Sequence, residues 1–350
     1  MFARISGVAA LVLVATTVTG VATAGHTSAR QRRAAYTGTI AFVRDGKGDH
    51  NALYVIHADG SGLRRIVPPR VGVSGYAWSP NGRRIAYIDA RGSLWLVRPD
   101  GTGLRRLLRG STLASMGLSW SPDGTKIAIT SPGPFAKVKT KDCVGQIYIV
   151  PIHGSQQQLP DASAACFSNP AWSPRGDEIA YDADGLSYGI WVINPDGSGN
   201  RQVSPFGGGF PSPSWSSDGT QLVFNVSHDM GPGGYRSFAV VNSDGTHYHV
   251  VTNQAYNEYG EVWSPHGRRI LYGHSHRGIY VIGSNRQNNH RVTIDSPGQS
   301  MAPKLAWSPD GRSIVYAPTQ GGLYEVGVNG RGKIRLTTGG LDPSWVARRS

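Results

Sequence analysis

Trp78-Ser79-Pro80-Asn81-Gly82 is the first of six near-copies of one pentapeptide. It returns as Trp120 to Gly124, Trp172 to Gly176, Trp215-Ser216-Ser217-Asp218-Gly219, Trp263 to Gly267 and Trp307 to Gly311. Successive tryptophans stand 42, 52, 43, 48 and 44 residues apart. A period of this size marks an array of similar supersecondary units, and it sets the fold before any other feature is read.

Residues 73–108 show what one unit contains. Val73 to Trp78 reads as a strand ended by the turn Ser79-Pro80-Asn81-Gly82, where proline presets its own φ and glycine accepts the left-handed conformation. Arg84 to Ile88 is a second strand, with Ile85 and Tyr87 on one face. Ser93 to Arg98 is a third, and Asp100-Gly101 opens a hairpin turn to a fourth, Leu104 to Leu108. Every unit keeps this layout: seven residues after each tryptophan an apolar triplet starts, at Ile85, Ile127, Ile179, Leu222, Ile270 and Ile314. Four short strands per unit, repeated without helices, predict an all-β fold, a β-propeller of four-stranded blades.

The chain ends supply one more unit. Ile40-Ala41-Phe42, Leu53 to Ile56 and Leu63 to Val67 match strands two to four, but Arg33 stands where the tryptophan should be. The missing first strand is present at the other end as Pro343-Ser344-Trp345. The ring is therefore expected to close by a C-terminal strand completing the N-terminal blade, which hides the edges an open ring would expose. This gives seven blades, with six as the alternative if one unit is degenerate.

Composition agrees with a chain of short strands: 47 glycines, 22 prolines and only 16% charged residues. The first 24 residues read as an export signal, with Arg4, the apolar run Val8 to Val18 and the cleavage pattern Ala22-Thr23-Ala24. Residues 25–35 form a basic lead-in, 36–347 a single propeller domain and 348–350 a tail. The apolar run is shorter than the roughly 20 residues of a membrane span, so no stable span is expected after cleavage. The reading is of a secreted or periplasmic monomer, with a retained N-terminal anchor as the alternative. A net charge of +13 favours acidic partners such as envelope polymers. No nucleic-acid-binding motif is present.

The repeats, each followed by a triplet such as Ile85-Ala86-Tyr87 and later by Asp-Gly, resemble the propeller of the TolB family. Related repeats occur in prolyl oligopeptidases, the tricorn protease and oligogalacturonate lyases. The resemblance covers roughly residues 36 to 347 and implies the fold; it leaves the activity open, because one propeller serves many. TolB carries an α/β domain before its propeller, and here only a few residues separate the signal from the first blade. A Tol–Pal envelope role is therefore not expected, nor is peptidase activity, for which no hydrolase domain remains.

Topology then says where function would gather. The Ser-Pro-Xaa-Gly and Asp-Gly turns share one rim, and the second-to-third loops and blade connections share the other. Insertions fall on the latter, at Thr130 to Asp142 and Val226 to Ser237, and long loops on rigid scaffolds commonly bind. Residues leading into the inner strands should line the channel mouth: Tyr76, Met116, Asn169, Tyr259, Glu261, Lys304 and Asp342. Two cysteines on this rim, Cys143 and Cys166, suggest a disulfide worth roughly 3 kcal/mol, against two unpaired thiols.

Candidate chemistry is sparse. Gly185-Leu186-Ser187-Tyr188-Gly189 matches a nucleophile pattern, but a true elbow needs a strand-to-helix turn, and here the string bridges two strands. His274 and His276, two apart on an extended segment, could point the same way and ligate a divalent metal, with His228 and Asp229 nearby. Oligogalacturonate lyases use propeller histidines in this manner, so the resemblance implies a metal-dependent polysaccharide lyase or hydrolase as the alternative function. Recurrent arginines beside the fourth strands, such as Arg64, Arg105 and Arg201, read as charge that protects exposed blade edges. The leading expectation is a non-catalytic binding or scaffold protein, without cofactor, for a protein or envelope polymer.

Overall fold

The computed structural model describes residues 38–44, 51–110, 117–131, 146–153, 157–159, 166–184, 189–204, 212–228, 235–252, 258–296 and 305–347. The chain divides into two units, 1–35 and 36–350, and all described residues belong to the second. That unit contains seven four-stranded sheets, every strand pair antiparallel. It is a seven-bladed propeller. Blade 2 runs in chain order as Val73–Trp78, Ile85–Asp89, Leu94–Val97 and Arg105–Leu108. Blades 3 to 7 repeat this order from inner to outer strand. In blade 1 the inner strand is Leu341–Val346, paired with Thr39–Arg44, as the sequence predicts.

The cores lie between blades. Ile85, Tyr87 and Val97 pack with Ala41, Val43 and Val55 of blade 1. The alternate residues Ala86, Ile88 and Leu96 pack with Trp120, Ile127 and Tyr148 of blade 3. Both faces of the second strand are therefore covered, and all of Ile85–Asp89 is buried. The period-2 alternation of a strand here selects which neighbour a side chain meets rather than core against solvent. A core of this kind joins each adjacent pair, including blade 7 to blade 1 through Val315, Leu323, Ile40 and Phe42.

The pentapeptide has a structural role that can be followed bond by bond. The Ser121 hydroxyl accepts from the Lys126 amide at 2.9 Å and donates to Asp123, whose Oδ1 accepts from the Thr125 amide at 2.9 Å. Ser216 and Asp218 repeat the pattern with Gln221 and Thr220. Gly124 and Gly219 sit at φ 70° and 68°, where a Cβ would be strained. Four of the inner-strand tryptophans tie blade to blade. Trp78 Nε1 donates to Ser344 O, Trp120 to Ala77 O, Trp215 to Ala171 O and Trp307 to Val262 O, at 2.9–3.2 Å. Each acceptor is the residue just before the preceding blade's tryptophan.

A second set of ties runs around the outside. Arg64 donates to Asp100 O at 3.0 Å, Arg105 to Ile152 O and Arg201 to Ser243 O at 2.8 Å. His249 and His290 place Nε2 against Ser284 O and Val328 O at 2.9 and 3.1 Å. All five occupy one register position on the outer strand, opposite Val55, Leu96, Val192, Val240 and Val281. Edge protection is thus not the whole role of these arginines: three of them join neighbouring blades.

Candidate functional site

The inner strands carry a recurring bulge, and it decides where the expected channel-mouth residues go. In blades 1, 4 and 6 the register shifts three residues before the tryptophan, where Asp342, Asn169 and Gly260 adopt φ 47°, 50° and 72°. A left-handed residue is what such a bulge needs. The next position turns into the slot between blades. It holds Tyr76, Pro170, Pro213, Leu305 and Pro343 in five blades, all buried. Tyr76 and Glu261 are therefore not connection residues, as the sequence suggested, but inner-strand residues in inter-blade slots. The Tyr76 hydroxyl donates to Ala41 O at 2.9 Å and also lies against Asp342 O. Burial, then the nearby Asp342, holds its proton well above the usual tyrosine range.

Glu261 is the anomaly. It places a carboxyl where the other blades have apolar or aromatic side chains, and it is 8% exposed. Burial pushes its pKa up to about 7, against the opposing influence of its own amide, Asn225 and Arg236. Asn225 lies beside the carboxyl, yet neither its Nδ2 nor Glu261 Oε1 completes a hydrogen bond of normal geometry among the described residues. Glu258, on the same inner strand, stands where blades 2 and 4 place Val73 and Phe167. Its carboxyl accepts from Thr252 Oγ1, and burial raises its pKa to about 8. His274 is directly across the strand pair from Glu258. It is 4% exposed, its Nδ1 lies 2.9 Å from Ser275 O, and burial lowers its pKa.

These side chains gather at one end of the seam between blades 5 and 6, from facing strands. The second and third strands of blade 5, Gln221–His228 and Tyr235–Asn242, are the long ones at eight residues each. Their pairing continues through Val226↔Ser237, Ser227↔Arg236 and His228↔Tyr235. Residues 226–228 and 235–237, half of the expected insertion at Val226 to Ser237, thus continue the hairpin, because they go on satisfying one another's backbone groups. Asn225 and Arg236 come from this hairpin, and Glu258 and Glu261 from the strand packed against it. Such a cluster can hold a proton near neutrality or receive a polar or cationic group.

The remaining candidates separate. Tyr259 is in the same inner strand, its pKa raised by burial. His276 is exposed on a left-handed turn at φ 62°, with its amide donating to Ser296 Oγ, and does not share the buried setting of His274. Among the described residues no group of three or more His, Cys, Asp or Glu is arranged to hold a metal. Cys166 opens the inner strand of blade 4 rather than lying in a connection. Met116, Cys143, Ser187, Asp229 and Lys304 fall outside the described residues, and of His228 only the backbone is described. Aligning the inner strands by their tryptophans is the signal that singles out Glu258 and Glu261.

The family model described as the TolB beta propeller domain matches residues 90–348. This chain belongs to the TolB β-propeller family. Among solved structures the TolB-type propeller is similar to TolB from Acinetobacter baumannii, at 18% identity and a TM-score of 0.55, covering 88% of this chain and 66% of that one. It is also similar to an oligogalacturonate lyase in complex with manganese, at 16% identity and a TM-score of 0.64, covering 83% and 86%. At these identities the likeness is one of fold. Two curated relatives match in part: the uncharacterized peptidase YuxL of Bacillus subtilis, 25% identical over 42% of this chain, and the uncharacterized protein Atu1656 of Agrobacterium fabrum, 24% identical over 56%. The chain spans 20% and 63% of their respective lengths. No helix among the described residues is long and apolar enough to cross a membrane.

Proposed function

We propose that this TolB-type propeller is an exported, non-catalytic binding protein that engages a protein partner at the rim end of the blade 5/6 seam. The observation that carries this reading is the replacement of apolar seam residues by Glu258 and Glu261 on the strand packed against the eight-residue strands of blade 5. Burying acids costs free energy unless something compensates, so their retention in a repeat that elsewhere offers Val, Phe, Leu or Pro fits a role outside folding. Asn225 Nδ2 and Glu261 Oε1 leave a donor and an acceptor that a partner's amide group, with its carbonyl and N–H, would complete. Export is inferred from residues 1–24, and the partner would then belong to the envelope or its surroundings.

Glu261→Leu tests this. Leucine is the residue blade 7 uses in the same slot, so the variant is expected to fold with stability equal to or above wild type by about 1–3 kcal/mol. Proteins crosslinked to the wild type in intact cells should be lost from the variant. Retention of the same crosslinked partner at wild-type yield would overturn the assignment of the site. The metal-dependent lyase reading draws on the fold likeness to the manganese-bound enzyme. Manganese-dependent cleavage of an acidic oligosaccharide, abolished in His274→Ala/His276→Ala, would establish it instead.

A further inference from the structure

Positive charge is distributed unevenly over the blades. Between Asn51 and Gly110, which cover the two outer strands of blade 1 and all of blade 2, stand ten arginines, no lysine and three aspartates. From Ser111 to the C-terminus there are nineteen basic and seventeen acidic residues. The three aspartates are already committed to local structure. Asp89 is buried and accepts from the Arg91 and Ser93 amides and from Trp95 Nε1 at 2.8–2.9 Å. Asp59 and Asp100 close hairpin turns by accepting from Ser61 and Thr102. Among the described residues, none of the ten arginines forms an ion pair, whereas Arg201 of blade 4 pairs with Glu178 and Lys333 of blade 7 with Asp295.

The inter-blade ties do not require this charge. At the same register position blade 7 carries Ile334, so a cation there is not a requirement of the ring. Arg65, Arg98 and Arg106 tie no blades together and are exposed. Arg106 lies over the Trp95 ring at 5.6 Å, which holds its guanidinium against the wall. Arg64 and Arg105 are fixed at their tips by carbonyls of the next blade, so cations follow one another from blade 1 across blade 2. The guanidinium presents a planar donor fork that matches phosphate bidentately, which lysine cannot do.

We infer that the outer wall of blades 1 and 2 binds a flexible, linear, phosphate-bearing polyanion. A flexible chain is specified because the cations are spread over a convex wall of two blades rather than along a groove, so only a polymer that bends can reach several at once. This surface lies on blades other than the 5/6 seam, and either assignment can fail without the other.

The test titrates the full chain with long-chain inorganic polyphosphate across a salt series. Comparison is made with Arg65→Ser/Arg98→Ser/Arg106→Ser and with Arg286→Ser/Arg312→Ser/Arg331→Ser, a control of equal charge change on blades 6 and 7. Each phosphate that an arginine no longer neutralises should lower the slope of log affinity against log salt by about 0.7, the value for a flexible strand. The first triple variant should lose at least about tenfold in affinity and about two slope units, while the control loses less than about threefold. Should the first variant fold poorly, Arg98→Ser alone, at an exposed turn, is expected to lose about two- to threefold. Equal losses in the two triple variants would overturn the assignment to blades 1 and 2. Absence of polyphosphate binding by the wild type at low salt would overturn it outright, and duplex DNA binding as tightly per phosphate would overturn the flexible-polymer assignment.

Discussion

Trp120 shows how much of this fold is carried by single atoms. Its indole N–H reaches Ala77 O of blade 2 at 3.1 Å, while its ring fills the core between blades 2 and 3. Trp120→Phe keeps most of the ring and removes the donor, leaving a buried carbonyl without it. The expected loss is about 1–3 kcal/mol in urea unfolding, and an unchanged midpoint would show the bond to be dispensable. The pentapeptide acids act differently. Ser121 first, then the Thr125 amide, hold the Asp123 carboxyl below the usual carboxylate range, and Ser216 and Thr220 do the same for Asp218. The recurrence of Ser, Asp and Gly made the turn roles legible in sequence, because each is satisfied within about five residues of itself, whereas the tryptophan was legible as a repeat marker and its acceptor, 43 residues away for Trp120, was not. Glu261 was legible only as a polar residue near a strand. Its burial depends on a bulge and on a facing blade, and neither is local.

At the scale of elements, the strands were readable because short apolar runs recur at fixed distances from the tryptophans and turn residues, and their chain order matched the repeat. What misled was polarity. Asn225, Ser227, His228 and Arg236 look like loop residues, yet they continue a hairpin whose backbone bonds are indifferent to side-chain type. The outer-strand arginines misled for the opposite reason: they were read from position on a blade edge. Their partners, 36 residues away for Arg64 and 47 for Arg105, lie on the next blade and carry no sequence signal, being backbone carbonyls. The inner-strand bulge belongs to this scale too. Asn169 and Asp342 satisfy its left-handed requirement without glycine, so residues that looked like ligand-binding candidates have a backbone role.

The unit 36–350 as a whole is a ring of seven inter-blade cores, and its closing seam holds a third displaced acid. Glu325 of blade 7 occupies the position of Leu96, Val192 and Val281 in other blades, opposite Val315 in the core shared with blade 1. It is 1% exposed, and burial raises its pKa to about 8. A carboxyl whose folded pKa is raised contributes stability that is complete below its unfolded value, about 4.5, and lost as pH rises through the folded value. Asp123 and Asp218, depressed in the folded state, contribute above the unfolded carboxylate range and lose it as pH falls. Stability should therefore peak on the acid side of neutrality and decline between about pH 5 and 8. Glu325→Leu should flatten that decline and raise stability at pH 8 by about 1–3 kcal/mol. Thermal melts across this range decide it, and an undiminished decline in the variant would acquit Glu325. The seam has a mechanical side as well. Thr39 pairs with Val346 and Val43 with Leu341, so the two outward-leading ends of the closing strands lie side by side. Tension applied between them would load one rung of the ladder at a time, like a zip drawn from its open end. An optical trap pulling on residues 38 and 347 should open the ring at a lower force than one pulling across the interior of blade 4, where Ile179–Asp184 is held on both sides. A ring that resists thermal opening through seven cores would then yield readily to a pull on its own two ends.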